Sequence, residues 1–351
     1  MNILVLGGTG AMGTPLVQML KEDGHEVYVT TRRNISAENN LHYLQGNAKD
    51  DIFLANLLEK KYDVIVDFMV YGSEELKKRL PVLLSNTAQY IFFSSSRVYA
   101  PSENPLKETS PRLLDVCTDQ IYLDTDEYAL AKAREEDLLR KSKEKNWTII
   151  RPYITYNDYR LQLGVYEKEN WLYRALQGRT IVLPKDIADR KTSLTYGSDV
   201  AVAITNLIGN EKAYGQAFHV VNPESLTWWE ILVIYLDTIE KKMGKRPKVE
   251  IIDNSLGLQK VWNPWQIKYD RMYDRIFDSS KIQKVCGPYN YKDTKSGLKE
   301  CLENFLDHPK WLSINWHYEA WADKAAREHA SISEIEGLRT KARYIKWRYF
   351  G

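Results

Sequence analysis

Residues 2–13 read NILVLGGTGAMG. Ile3 to Leu6 is an unbroken apolar run, which suits a strand buried on both faces of a parallel sheet. Gly7-Gly8-Thr9-Gly10 ends it, and Leu16, Val17, Met19 and Leu20 then recur at helical spacing until Gly24. Val27 to Thr31 is a second strand, rich in β-branched residues. Strand, turn, helix and strand make a βαβ unit. Gly7, Gly10 and Gly13 sit between the first strand and its helix. Glycine is needed there because the turn is tight, the backbone approaches a pyrophosphate, and the helix packs closely on the strand. The helix N-terminus adds N–H groups and a positive dipole end. Gly7, Thr9, Gly10, Ala11, Met12 and Gly13 are therefore expected to hold the phosphates of a dinucleotide.

The alternation continues outward from this unit. Strands are expected at 42–44, within 62–70, and at 90–94 and 147–150. Helices are expected at 51–60, 74–84 and 127–145, the last as a long helix with many i, i+4 charge pairs. Further on, 217–221 reads as a strand, and 200–208 and 228–243 as helices, Thr227 being the N-cap of the second. The expected fold class is α/β, a Rossmann doubly wound parallel sheet with a smaller, mixed C-terminal substrate lobe. The dinucleotide domain is placed at 1–157 and completed by about 190–228, with the substrate lobe at 158–189 and 229–351. Trp262, Trp265, Trp311, Trp316 and Trp321 make that lobe aromatic-rich, and 319–347 reads as a helix that is basic at its end.

Composition narrows the class. A chain of 351 residues with 44% apolar residues can bury a sizeable core. Its net charge of +2 does not suggest a general nucleic-acid binder. Cys117, Cys286 and Cys301 have no metal-ligand spacing, so reduced thiols and no metal are expected. No signal peptide or membrane span is legible, and a cytoplasmic location is the expectation. The second strand ends in Thr31-Arg32-Arg33, where NAD binders usually carry an acid for the ribose 2′-hydroxyl. A guanidinium instead grips a 2′-phosphate, so NADP is favoured, with NAD as the alternative.

Two further motifs carry chemistry. Tyr128-Ala-Leu-Ala-Lys132 puts a phenol and an ammonium on one helix face, and Ser94-Ser95-Ser96 ends a strand. Together with GGTGAMG, FFSSSRVYA, IIRPYITY, SDVAVAI and AFHVVNPESLTWWEI, this order resembles the extended short-chain dehydrogenases/reductases. These are the NAD-dependent epimerase/dehydratase family, whose members modify nucleotide sugars. The resemblance covers about the first 225 residues. It implies that Tyr128 is the acid/base, Lys132 its partner and Ser95 the third catalytic member, with Ser96 as fallback. A lysine charge favours phenolate, which a free phenol reaches only near pH 10. By the same resemblance Asn47, Ala48, Phe68, Met69, Val70, Tyr128, Lys132 and Pro152 join Thr31, Arg32 and Arg33 in binding cofactor, Lys132 on the nicotinamide ribose. Ser95, Ser96, Ile154 and Arg190 are implied at the substrate. A homodimer through helices near 74–86 and 127–145 is also implied.

The chain departs from the family pattern at Asn47 for a usual aspartate, Ala100 and Asn157 for glycines, and Thr192 for a diphosphate-binding arginine. Ser95-Ser96-Arg97 lacks the acid that a dehydratase uses to expel water. The expected function is hydride transfer on a nucleotide-sugar carbon, with a reductase favoured. The alternatives are an epimerase with retained NAD, a reductase of a small non-sugar carbonyl and a non-catalytic NADP-binding regulator. His219 reads as a core histidine and Trp228-Trp229 as helix packing. Arg271 and Arg275 read as a phosphate grip or a solvated face, and the basic tail as a contact with a partner or an anionic membrane surface, or as packed on its own domain.

Overall fold

The computed structural model describes residues 1–102, 105–288 and 290–350. Its contacts divide into two units. Unit 1 comprises Met1–Thr155, Leu194–Pro223 and Phe277–Lys292; unit 2 comprises Tyr156–Ser193, Glu224–Ile276 and Asp293–Gly351. Residues 277–292, which the sequence reading put in the substrate lobe, thus cluster with unit 1. Ile282 is buried in that unit's core, and the carbonyl of Asp278 accepts from His219 Nε2 at 2.6 Å.

Unit 1 is built on seven strands: β1 (Asn2–Leu6), β2 (Glu26–Thr31), β3 (Leu41–Gln45), β4 (Tyr62–Asp67), β5 (Thr87–Phe93), β6 (Trp147–Pro152) and β7 (Gln216–Val220). They lie in the order β3-β2-β1-β4-β5-β6-β7, and every neighbouring pair is parallel. The helices that matter to the site are α1 (Gly13–Glu22), α2 (Asp51–Leu58), α3 (Ser73–Ser85), α4 (Tyr128–Lys141) and α5 (Gly197–Leu207). Alternate strand residues face opposite layers, as the two-residue strand period requires. Ile3, Val5, Val29 and Val66 pack with α1 and α5; Leu4, Leu6, Ile65 and Phe92 pack with α2, α3 and α4. Both faces being covered is why β1 reads as a continuous apolar run. The order reverses between β1 and β4, and ligands of such sheets bind at the carboxyl ends beside that reversal.

Unit 2 holds the helices Lys168–Leu176, Trp228–Met243, Thr294–Asp307, Trp316–Ala325 and Leu338–Phe350, with Ile181–Pro184 paired in parallel to Val249–Ile252. The stretch 319–347, expected as one helix, is two, interrupted by positive φ at Arg327 (56°) and Gly337 (77°). Buried charges join its pieces. Arg174 donates to Glu319 at 2.8 Å and Asp323 at 2.9 Å, and Tyr344 to Asp323 at 2.6 Å. The tail helix thereby packs on its own unit, with Trp347 against His317 and Arg348 Nε on the Glu328 carbonyl.

Candidate active site

Leu6 of β1 lies opposite Asp67 of β4, so the loops that follow these strands run side by side. Gly7 has a φ of +72°, and a Cβ there would lie 2.9 Å from Met69 Sδ. Its N–H donates to Thr30 Oγ1 at 3.0 Å, which fixes the turn. A Cβ on Gly13 would lie 2.7 Å from the Gly8 backbone, so α1 packs directly on the loop. Gly8 is itself hemmed in by Val5, Val29 and Val17, a constraint the triplet spacing did not single out. Gly10 has no atom within 4 Å of where a Cβ would stand. The first turn of α1 carries no acid, and Met12 gives no side-chain cap. Open space, backbone donors and a positive helix end fit a dinucleotide pyrophosphate.

At the end of β2, Thr31 Oγ1 accepts from the Arg33 N–H at 3.2 Å. Arg32 and Arg33 are exposed, with no ion-pair partner among the described residues. A Cβ on Gly46 would collide with the Phe53 ring, which explains that glycine. Asn47 is exposed and accepts the Lys49 N–H at 3.1 Å through Oδ1, leaving Nδ2 to donate; Ala48 is buried. Phe68 packs against Phe93 with ring centroids 4.2 Å apart and planes tilted by 30°, Met69 is half-buried and Val70 exposed.

The three serines after β5 have different commitments. Ser94 Oγ donates to Glu136 Oε1 at 2.6 Å, and the buried Ser96 Oγ donates to the Arg151 carbonyl at 2.9 Å. Among the described residues Ser95 Oγ only accepts, from the Arg97 N–H at 3.2 Å, so its proton is unspent there. That distinction separates Ser95 from the fallback Ser96, whose hydroxyl belongs to the fold.

Tyr128 opens α4, with Glu127 as its N-cap accepting the Ala129 N–H at 2.9 Å. Glu127 also binds Arg97 at 2.8 Å, and this held guanidinium lies 5.3 Å from the Tyr128 ring centroid. The Tyr128 hydroxyl has no hydrogen bond among the described residues. Lys132 is buried; its Nζ bonds Glu135 Oε2 at 2.8 Å and lies 4.6 Å from the Phe92 ring centroid. The charged residues expected to pair at i, i+4 along this helix are thus partly buried, and several reach other elements instead.

Beneath the serines lies a polar core that the sequence reading did not assemble. Arg151 binds Glu136 at 2.7 and 2.6 Å and Tyr99 Oη at 2.9 Å. His219 Nε2 faces a carbonyl, which assigns its proton there and leaves Nδ1 to accept from Tyr99 Oη at 3.2 Å. Burial lowers the His219 pKa, in keeping with a neutral core residue. Asp67 is fully buried and accepts from the Met69 N–H at 2.9 Å, Tyr71 Oη at 3.0 Å and Tyr90 Oη at 2.8 Å. Burial nevertheless pushes its carboxyl upward. An acid inside the apolar run DVIVDF was the available signal for Asp67.

Pro152 ends β6, and Ile154 is buried with its carbonyl bonded to the Thr195 N–H at 3.0 Å. Within unit 2, Arg190 is exposed and Thr192 buried. Arg271 and Arg275 form neither a solvated face nor a free grip: both are buried and paired with Asp270, Arg275 Nε at 3.0 Å. Among the described residues no group of three or more His, Cys, Asp or Glu is placed to hold a metal. No helix among them is long and apolar enough to cross a membrane.

Comparison with known proteins identifies the family. The chain is 29% identical over 271 residues to the chloroplast stem-loop binding protein of 41 kDa b of Arabidopsis thaliana, covering 72% of this chain and 65% of that protein. It is 31% identical over 137 residues to the UDP-glucose 4-epimerase of Streptococcus mutans, covering 32% and 41%. It thus spans less than two thirds of the length of either relative. The UDP-glucuronic acid 4-epimerase of Bacillus cereus, solved with UDP-glucuronic acid and NAD, superposes with a TM-score of 0.66 at 16% identity, covering 88% of this chain and 100% of that one. Residues 3–221 match the NAD dependent epimerase/dehydratase family, and the chain belongs to that family.

Proposed function

We propose that the protein transfers a hydride to or from a carbon of a nucleotide-linked sugar, with Tyr128 as acid/base, and that it acts as an NADP-dependent reductase. One observation carries this reading. The Ser95 and Tyr128 hydroxyls keep their protons free, while Ser94, Ser96, Arg97 and Glu127 around them are bonded into the fold. Nicotinamide, when bound, supplies or accepts the hydride. The Ser95 hydroxyl donates to the substrate oxygen and orients it. Tyr128 gives that oxygen a proton on reduction and takes it on oxidation. The loop Gly7 to Gly13 binds the pyrophosphate, Asn47 Nδ2 the adenine, and exposed Arg32 and Arg33 a 2′-phosphate.

Replacing Tyr128 with Phe lowers kcat by about 10²- to 10⁴-fold; a near-normal rate overturns the acid/base role. Arg32→Ala weakens NADPH binding far more than NADH binding, read by fluorescence titration. Family membership supports the epimerase alternative, and protein purified with bound NAD(H) that turns over sugar without net cofactor change would replace the reductase reading. Thr192 in place of a diphosphate-binding arginine supports the small-carbonyl alternative, which no thermal shift with a panel of nucleoside diphosphates would favour. We place substrate specificity in unit 2 and the protein in the cytoplasm. A homodimer through α3 and α4 would use a largely charged surface, since Glu74, Lys77 and Lys78 are exposed while much of α4 is buried; sedimentation tests it.

A second reading is binding of a nucleic-acid stem-loop, stem-loop binding being the property in the name of the Arabidopsis relative. Arg339, Arg343 and Lys346 share an exposed face of the tail helix, without ion-pair partners among the described residues. Strongly salt-dependent binding to a stem-loop RNA, lost on neutralising these three, is the result that would support it.

A further inference from the structure

Tyr128, Lys132 and Glu135 stand at i, i+4 and i+7 of α4, two helical turns of a single stripe. Lys132 and Glu135 show 2% and 0% of their side chains to solvent, and their charged atoms are 2.8 Å apart. The lysine's other neighbour is the Phe92 ring at 4.6 Å. Glu135 accepts that one bond through Oε2, while its buried Oε1 has no partner among the described residues. An exposed i, i+3 pair would be ordinary surface chemistry. A pair withdrawn from water with an oxygen left over is costly, and apolar side chains of similar size would fill the space more cheaply.

We infer that Glu135 is a positioning residue, which holds the Lys132 ammonium by a buried ion pair and so sets how much of its charge acts on the Tyr128 phenol. The inference rests on the reading of Tyr128 as the acid/base. While Glu135 is ionised, the pair is neutral overall and the lysine is tethered to the carboxylate. When Glu135 takes a proton, the ammonium charge is unopposed and favours phenolate. Glu135 is placed to make that change. Burial pushes its carboxyl up to about 7 against the pull of Lys132, with Asp67 and Asp126 pushing the same way as burial. The groups facing it are Lys132 on its own helix, Asp67 at the end of β4, Tyr90 on β5 and Asp126 just before α4.

The test uses the full-length protein with its cofactor. Tyrosinate absorbance of each protein, minus that of its Tyr128→Phe counterpart, isolates the Tyr128 titration. Glu135→Gln keeps the shape and removes the charge. It is expected to raise the tyrosinate fraction about tenfold at a given pH, equivalent to one pKa unit, and to delete an ionisation near neutrality from the pH profile of kcat. Glu135→Asp restores most of both. A Glu135→Gln protein that melts like the parent, with both titrations unmoved, overturns the inference. If Glu135→Gln does not fold, infrared spectra of the parent labelled at glutamate carboxyls replace it. A buried carboxyl band that disappears in step with the rate inflection supports the inference, and a band that does not follow it overturns it. Were Tyr128→Phe to keep its activity, the acid/base reading would fall, while the absorbance difference would still report whether Glu135 governs the phenol's charge.

Discussion

Glu135 and Glu136 are adjacent on α4 and fully buried, yet they live in opposite surroundings. Glu136 turns toward β6 and accepts from Ser94 Oγ and two nitrogens of Arg151, with Arg112 Nη1 at 3.4 Å. Burial pushes its carboxyl up, but Arg151, Ser94 and Arg112 together outweigh burial and hold it below the usual range. Among the described residues Glu135 is bonded by Lys132 alone, and its carboxyl is pushed up to about 7. Equal burial thus gives opposite shifts, and the number of donors decides which. The fully bonded side is scaffold, tying α4 to β6. The under-bonded side, on the stripe that carries Tyr128 and Lys132, is where charge remains adjustable.

The largest effect that would break this contrast is on the scaffold side. Arg151→Met leaves Glu136 without its main partner and is expected to cost about 3–5 kcal/mol in urea unfolding. Adding Glu136→Leu removes the stranded carboxylate and recovers a good part of that loss. A cost below about 1 kcal/mol for Arg151→Met alone, the range of exposed pairs, would mean that the Glu136 side is not the scaffold.

A smaller effect sharpens the same contrast through pH. The Glu136 pKa is lowered by folding, so the stability it supplies is full above the ordinary value of 4.5 and drains away as pH falls. The Glu135 pKa is raised, so its contribution is full below 4.5 and is lost as pH rises through about 7. Melting temperatures of Glu136→Gln should therefore fall less steeply with acid than the parent's, the remaining fall belonging to other lowered carboxyls such as Asp115, Asp126 and Glu328. Those of Glu135→Gln should lose part of the decline toward neutrality, the rest belonging to groups such as Glu319, which burial also pushes up to about 7; identical changes in both variants would contradict the opposite shifts.

How far the sequence anticipates this follows from how local each signal is. Ile3 to Gly13 was legible because a doubly buried strand and a glycine turn are written in consecutive residues. Tyr128 and Lys132 were legible because one helical turn brings them together. The buried roles of Glu135 and Glu136 were not, because α4 is covered on more than one side and its charges do not follow an exposed-face pattern. Arg112, for example, reaches in from another segment to the Ala133 carbonyl at 3.0 Å. The partners Arg151 and Ser94 lie 15 and 42 residues from Glu136 and meet it through sheet order alone. In unit 2 the split of 319–347 into two helices turns on Arg327 and Gly337, and its buried anchor Arg174 lies 145 residues from Glu319. Gly8 escaped notice because the spacing of its neighbours already satisfied the motif.

The smallest effect separates two adjacent serines. Ser96 belongs to the committed side, since its buried hydroxyl donates to the Arg151 carbonyl at 2.9 Å. Losing that bond to Ala should cost about 1 kcal/mol, visible as a lower urea midpoint, with kcat little changed. Ser95 belongs to the uncommitted side, where its hydroxyl only accepts from the Arg97 N–H at 3.2 Å and stabilises a short turn. Ser95→Ala should therefore leave the urea midpoint near the parent's and lower kcat by about 10-fold or more, as loss of one oriented donor in a reacting site does. The pair is informative because the two variants remove the same atom one residue apart. If Ser96→Ala lost activity and Ser95→Ala lost stability, the assignment of free and committed protons at the end of β5 would be inverted, and with it the choice of Ser95 as the group that orients the substrate.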